Sequence, residues 1–125
     1  MLTRRNSLGI LSSALAMPFV SRTGWAQAYP NRPVRLVVPF VPGGGVDLIG
    51  RLVANQLSII WGQQVVTENK GGAGGNIGAQ SVITAPPDGY TLFLGSFFLG
   101  TNPYIYPSLG YDPIADLAPV SMICS

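Results

Sequence analysis

Short apolar runs alternate with segments of helical periodicity from residue 29 onwards, and glycine or proline stands at each change between them. The short runs are rich in β-branched residues, as buried strands are, whereas apolar residues in the longer segments recur at three- and four-residue steps, which is typical of helices. The pattern predicts, in order, a strand at Val34–Phe40, a helix at Val46–Trp61, a strand at Gln64–Glu68, a helix at Asn76–Ala85, and strands at Thr91–Leu94 and Val120–Cys124.

The first predicted helix carries an apolar stripe along one side. The stripe consists of Ile49, Leu52, Val53, Leu57 and Ile60. We expect the helix to pack on the sheet through this stripe. Strands that alternate with helices pair in parallel through right-handed crossovers. The sequence therefore predicts an α/β fold with a parallel-type sheet and flanking helices.

A signal peptide is predicted at residues 1–28. Arg4 and Arg5 precede an apolar run at Leu8–Val20, and a small-x-small cleavage site stands at Ala26–Ala28. The run is interrupted by serines and a proline and is shorter than the ~20 residues of a membrane-spanning helix. We therefore expect cleavage before Tyr29 and a periplasmic mature protein. The paired arginines loosely resemble a twin-arginine signal, which leaves the export route open.

Removal of the signal peptide changes the charge of the chain. The whole sequence has seven basic and five acidic side chains. Arg4, Arg5 and Arg22 lie in the signal peptide and every acid lies after it, so the remaining chain carries four cations against five acids. No basic stripe remains to engage a phosphate backbone, and we expect no nucleic-acid partner.

Two glycine-rich segments each follow a predicted strand and precede a predicted helix. The first glycine loop spans residues 39–47 and the second glycine loop spans residues 71–78. Ligands of open α/β sheets bind at this edge, where helix amino ends offer unpaired N–H groups and glycine lets a ligand approach the backbone. The expected ligand is an anion. The alternative is that the glycines only permit tight turns and that Asp47 only caps its helix.

The spacing within these loops does not fit nucleotides. A phosphate loop has lysine and then serine or threonine after its glycines, but Val46 and Asp47 follow Gly43–Gly45. A dinucleotide fingerprint has two residues between its second and third glycine, whereas three residues separate Gly74 from Gly78. We therefore expect no nucleotide cofactor.

Candidate catalytic residues are sparse. The sequence contains no histidine, so it has neither a Ser/His/Asp nor a Cys/His set, and it has no cluster with the spacing of zinc ligands. Its five acids are scattered. We predict a binding protein, not an enzyme, with no cofactor and no metal. The alternatives are a fragment of an α/β enzyme that acts on a carboxylated substrate, or a nonfunctional remnant.

A series of short motifs resembles one known family. In order along the chain, they are Tyr29-Pro30, Arg32-Pro33-Val34-Arg35, Pro39-Phe40-x-Pro42-Gly43-Gly44-Gly45-x-Asp47, Glu68-Asn69, Gly72-Ala73-Gly74-Gly75-Asn76-Ile77-Gly78, Pro87-Asp88-Gly89-Tyr90-Thr91, Asn102-Pro103 and Tyr111-Asp112-Pro113. They resemble the receptors of the tripartite tricarboxylate transporters, also called the Bug family, and the likeness extends over the whole mature chain.

The resemblance implies a periplasmic-binding-protein type II-like fold. Two α/β domains of such a receptor close on a small carboxylate, which is a di- or tricarboxylate, an acidic amino acid or an aromatic acid, and present it to a membrane permease. The complete receptor is expected to be a monomer. Family members are much longer than residues 29–125, so we expect this chain to be a fragment that forms the incomplete N-terminal part of the first domain. We also expect that it does not bind alone.

Ligand-binding residues are carried over from the family motifs position by position. They are Phe40, Gly43, Gly44, Gly45 and Asp47 in the first glycine loop, Gly74, Asn76, Ile77 and Gly78 in the second, and Ser96, Thr101 and Asn102 after the third strand. Phe97, Phe98 and Leu99 stand where the family usually has small polar residues. These three side chains either contact an apolar or aromatic ligand body or only pack.

Overall fold

The computed structural model describes residues 28–123. The predicted signal peptide, apart from Ala28, lies outside the described residues, and so does Cys124. The elements, in order, are β1 at Val34–Val38, α1 at Gly45–Trp61, β2 at Val65–Asn69, a 3-10 turn at Ala73–Gly75, α2 at Asn76–Ile83, β3 at Thr91–Phe93 and α3 at Phe98–Ile105.

The three strands form one parallel sheet in the order β2-β1-β3. Val34 of β1 pairs with Val65 of β2, and Arg35 pairs with Thr91 of β3. Because helices connect the strands, the carboxyl ends of all three strands lie at the same edge. The predicted α/β class with a parallel sheet is confirmed.

The sheet is covered by helices on both faces. On one face, α1 contributes Ala54 to a core formed with Val34, Leu36, Val38, Val65 and Leu94. On the opposite face, α2 packs against β1 and β3, and Val37, Ala79 and Phe98 are buried. Among the described residues, no helix is long and apolar enough to span a membrane.

The predicted packing stripe of α1 is only partly correct. Val53 and Leu57 are half-buried, but Leu52 and Ile60 are 59% and 73% exposed and Ile49 is also exposed. Small residues determine the closest approach, because a Cβ added at Gly50 would lie 2.8 Å from Val38 Cγ2. The helix is apolar on several sides, and the side that packs is Val46, Gly50, Ala54, Leu57 and Trp61.

Two further differences lie after β3. The predicted fourth strand is wrong over residues 120–123, which have no regular structure and expose Val120 and Met122. No strand of the described region pairs with this apolar segment. The helix α3 was not predicted, because Gly100 and Pro103 lie within its eight residues and both disfavour helix interiors.

Candidate functional site

Three loops meet at the carboxyl edge of the sheet. The first glycine loop leads from β1 into α1, the second glycine loop leads from β2 into α2, and the third loop, residues 94–97, leads from β3 into α3. We call this surface the loop edge. It is the position at which open α/β sheets bind ligands.

The helices that begin at the loop edge lack side-chain caps. The N-cap residues of α1, α2 and α3 are Gly44, Gly75 and Phe97, and no cap side chain accepts a hydrogen bond at any of them. In α1 the ladder begins with the Leu48 N–H, which donates to the Gly44 carbonyl at 3.0 Å, so the N–H groups of residues 44–47 precede it. These donors and the positive ends of the helix dipoles suit an anion.

A charged network holds the first glycine loop. Asp47 is 3% exposed, and its Oδ2 accepts hydrogen bonds from the Gly43 N–H and from Arg51 Nε, both at 2.9 Å. Its Oδ1 accepts from Asn69 Nδ2 at 2.9 Å, and the same Asn69 amide donates to the Phe40 carbonyl at 3.1 Å. Asp47 and Asn69 therefore fix the path of the loop backbone.

The same contacts determine the ionisation of Asp47. The hydrogen bond from Arg51, followed by those from Gly43 and Asn69, lowers the pKa of Asp47 from 3.8 to about 2. The carboxylate is therefore charged at neutral pH, and protein donors occupy both of its oxygens. In this arrangement Asp47 shapes the loop and presents no donor to an anion.

An open recess lies beside the first glycine loop. Its volume is about 210 Å³, and its lining is formed by Gly43, Gly44, Gly45, Asp47, Leu48 and Arg51. A Cβ added at Gly43 or Gly45 would meet no atom within 4 Å. These glycines leave the backbone accessible, as an approaching ligand requires.

A neutral network holds the second glycine loop. Asn102, which is 4% exposed, donates through Nδ2 to the Gly74 carbonyl at 3.1 Å and to Asn76 Oδ1 at 2.6 Å. The Tyr111 hydroxyl donates to the same Asn76 oxygen at 2.9 Å. Burial raises the pKa of Tyr111, which keeps this donor protonated. Because both donors bind Asn76 Oδ1, the Asn76 side-chain NH₂ is the part left for other acceptors.

Glycines of the second loop are close-packed. A Cβ added at Gly78 would lie 2.9 Å from the Lys70 carbonyl and 3.0 Å from Pro39 Cα. A Cβ at Gly75 would lie 2.8 Å from the Phe98 ring, and Gly75 has a φ of 95°. Glycine is needed at both positions for packing and, at Gly75, for the left-handed backbone.

The two neighbouring phenylalanines at the junction of the third loop and α3 differ in burial. Phe98 is buried and packs edge-on against Phe40 and Phe93, with ring centroids 5.8 Å and 6.1 Å apart. Phe97 is 79% exposed. Phe98 therefore belongs to the core beneath the loop edge, whereas Phe97 lies on its surface.

The three polar residues predicted in this segment, Ser96, Thr101 and Asn102, differ in burial and in hydrogen-bond partners. Ser96 is half-buried, and its carbonyl accepts from the Leu99 N–H at 3.1 Å. Thr101 is exposed, and its hydroxyl donates within α3 to the Phe98 carbonyl at 3.4 Å. Only Asn102 reaches the second glycine loop through its side chain.

Three residues of the networks were not among the predicted site residues. Arg51 has a sequence signal, since it lies four residues after Asp47 on the same helix. Asn69 ends β2, a position from which a side chain can reach the neighbouring loop. Tyr111 contacts a residue 35 positions away and has no local signal. Within residues 28–123, no group of three or more potential metal ligands comes together.

Known proteins match this chain over most of its length. The model of the tripartite tricarboxylate transporter family receptor matches residues 49–125. A protein from Agrobacterium vitis is 42% identical over 116 residues, which cover 93% of this chain and 33% of the relative. Protein BugT from Bordetella pertussis is 38% identical over 118 residues, which cover 93% of this chain and 36% of BugT. The chain thus spans about a third of the length of these relatives.

Solved structures share the fold. The periplasmic binding protein BugD superposes with a TM-score of 0.65 at 47% identity, over 68% of this chain and 28% of BugD. An R. palustris protein with adipate gives a TM-score of 0.66 at 45% identity, over 69% of this chain and 29% of that one. MatC from Rhodopseudomonas palustris, with bound malate, gives 0.61 at 35% identity, over 70% of this chain and 30% of MatC.

Proposed function

This chain belongs to the tripartite tricarboxylate transporter receptor family, and we propose that its loop edge forms one side of a carboxylate-binding cleft in a periplasmic solute receptor. The observation that carries the proposal is the uncapped amino end of α1 at the accessible backbone of Gly43–Gly45. Such a surface offers backbone donors and the positive end of a helix dipole, and the carboxylate in its lining, Asp47, is paired with Arg51 and hydrogen-bonded at both oxygens.

The residues divide into donors and supports. Backbone N–H groups of Gly44–Val46 bind the carboxylate, and the side-chain NH₂ of Asn76 adds a donor from the second glycine loop. Asp47 supports the donors through Gly43, and Asn102 supports Asn76. Adipate and malate, the ligands of two solved relatives, are both carboxylates. The proposed ligand is accordingly a small carboxylate.

The proposed role is capture for transport, not catalysis. The ligand is presented to a membrane permease after capture in the periplasm, and the segment 1–28 directs export. The complete receptor acts as a monomer. Since the sequence contains no histidine and the described acids do not form a cluster, binding accounts for the arrangement of these residues without a chemical step.

The loop edge needs a facing surface to hold a carboxylate tightly. Three charge-assisted hydrogen bonds contribute about 5 to 9 kcal/mol before costs. Association itself costs about 4 to 15 kcal/mol. The loop edge alone therefore gains little net free energy on binding a carboxylate. In the complete receptor, the remaining contacts come from the part that is present in the longer relatives.

The proposal is tested with a chimaeric receptor, in which residues 29–123 replace the matching segment of MatC. We expect saturable binding of malate or adipate in calorimetric titrations of the chimaeric receptor. The 125-residue chain titrated in the same way should give no saturable signal. Absence of binding in a folded chimaeric receptor, alongside binding by MatC, would contradict the proposed function.

A matched pair of variants tests the backbone donors. Gly45→Pro deletes one N–H at the first position of α1, where proline fits the helix, whereas Gly45→Ala keeps the N–H. Because a hydrogen bond to a charged group is lost, we expect Gly45→Pro to weaken binding about 10- to 100-fold relative to Gly45→Ala. Equal affinities would show that this N–H does not bind the ligand.

A further inference from the structure

Each loop of the loop edge exposes one large apolar side chain. Val41 in the first glycine loop is 70% exposed, Ile77 in the second is 53% exposed, and Phe97 in the third loop is 79% exposed. Single exposed apolar residues are common on protein surfaces. Three of them, one from each loop of the loop edge, form a feature that the carboxylate-binding role does not by itself require.

Two of these side chains lie on either side of a bare stretch of backbone. A Cβ added at Gly71 would lie 3.5 Å from Val41 Cγ1, and a Cβ added at Gly72 would lie 2.6 Å from Ile77 Cδ1. Both glycines are exposed. Val41, Gly71, Gly72 and Ile77 therefore form a continuous surface without a charged or hydroxylated side chain. We call it the apolar platform.

Phe97 extends this apolar character to the third loop. Its neighbour Phe98 is fixed in the core by Phe40 and Phe93, so the backbone that carries Phe97 is anchored. The exposed ring lies at the amino end of α3. Burial of such a ring against a ligand is favourable because it removes apolar surface from water.

The cations of the described residues already contact carboxylates, and Arg35 and Lys70 share one of them, Glu68. Among residues 28–123, every cation has a carboxylate partner within 3.3 Å, in the pairs Arg32–Asp88, Arg35–Glu68, Arg51–Asp47 and Lys70–Glu68. None of the four cations of this region lacks a carboxylate contact and so stands free for a second or third negative charge of a ligand. The loop edge therefore suits one carboxylate group, which the uncapped amino end of α1 can bind.

We infer that the loop edge selects a ligand that presents a single carboxylate to the first glycine loop and lays an alkyl or aromatic body over the apolar platform and Phe97. Short hydroxylated acids and tricarboxylates are disfavoured at this surface, since their polar groups would lie against apolar side chains. This inference rests on the proposed function and narrows its ligand class.

The test compares the chimaeric receptor with MatC in calorimetric titrations with malate, citrate, adipate and benzoate. We expect replacement of the MatC segment by residues 29–123 to shift the affinity ratio from malate towards adipate and benzoate. If the chimaeric receptor keeps the ligand order of MatC, the inference is wrong although the proposed function stands. If it is folded and binds none of these acids, the proposed function fails as well.

Single substitutions test whether the ligand preference arises from the apolar platform. Ile77→Ser should weaken adipate and benzoate binding about five- to tenfold and change malate binding little, because half-buried contact with an apolar body is lost. Ile59→Ser is the matched control, since Ile59 is a 68% exposed isoleucine on α1, and it should leave all affinities unchanged. Equal effects of the two substitutions, or an equal loss for every ligand, would overturn the inference.

Discussion

The two glycine loops lie side by side at the loop edge, yet they use glycine differently. In the first glycine loop, a Cβ at Gly43 or Gly45 would meet no atom within 4 Å. In the second, a Cβ at Gly75 or Gly78 would lie within 3 Å of neighbouring atoms. Glycine thus keeps backbone accessible in one loop and permits close packing in the other.

The loops are also held by different chemistry. A charged carboxylate, Asp47, gathers donors from Gly43, Arg51 and Asn69 in the first loop. Neutral amide and phenol groups connect Asn76 to Asn102 and Tyr111 in the second. A run of glycines alone therefore does not show whether its backbone is accessible to a ligand or is close-packed against the rest of the protein. The surrounding side chains decide it.

The largest expected effect comes from a methyl group placed in the packed loop. Gly78→Ala should lower the free energy of unfolding by about 2 to 3 kcal/mol, because the new Cβ meets the Lys70 carbonyl and Pro39 backbone, which cannot easily move. Gly45→Ala is the control, and it should change stability by less than about 1 kcal/mol. Urea unfolding of both variants measures the difference. Similar losses at the two positions would remove the distinction between the loops.

A smaller effect is expected when the neutral network is cut. Asn102→Ala removes the buried donor to the Gly74 carbonyl and leaves Asn76 Oδ1 with the Tyr111 hydroxyl alone, and it should cost about 1 to 3 kcal/mol of unfolding free energy. Thr101→Ala, which removes an exposed hydroxyl on the same helix, should cost less than about 0.5 kcal/mol. If urea unfolding gives the two variants equal stability, Asn102 does not hold the second glycine loop.

The charged network should respond to pH, whereas the neutral network should not. The pKa of Asp47 is lowered from 3.8 to about 2 in the folded chain. Its stabilising contribution is therefore fully present above its ordinary pKa and is lost as the pH falls through the folded value. We expect Asp47→Asn to be less stable than the parent chain at neutral pH, and the difference to shrink between pH 4 and about 2.

Urea unfolding across this pH range measures the difference between parent and Asp47→Asn. The pKa of Asp112 is also lowered, by hydrogen bonds from the backbone N–H groups of Ile114 and Ala115. Subtraction of the two pH profiles removes its contribution, since both proteins contain Asp112. A stability difference that stays constant down to pH 2 would show that the Asp47 charge does not hold the first glycine loop.

Apolar periodicity predicted the sheet well because β1 is rich in valine and is buried at every position except Arg35. The same periodicity did not predict which side of α1 packs on the sheet. That helix has apolar residues on several sides, and the residues that set its closest approach, Gly50 and Ala54, carry little apolar signal. The segment 120–123 reads as a strand, but a strand requires a partner for its backbone groups.

The position of the candidate site could be predicted from the sequence, but the roles of its individual residues could not. Glycine after a strand and before a helix located the first and second loops, and both lie at the expected edge. The sequence could not show that Asp47 is occupied by protein donors or that Phe98 is buried while Phe97 is exposed. Those differences depend on contacts between residues far apart in the chain, as the pair Asn76 and Tyr111 illustrates.

The most direct test of the central claim is a crystal structure of the chimaeric receptor with a bound carboxylate. We expect a carboxylate oxygen about 2.7 to 3.2 Å from backbone nitrogens of Gly44–Val46, with the hydrogen bond from the Gly43 N–H to Asp47 retained. A ligand whose carboxylates bind elsewhere, with none of its atoms at the first glycine loop, would contradict it.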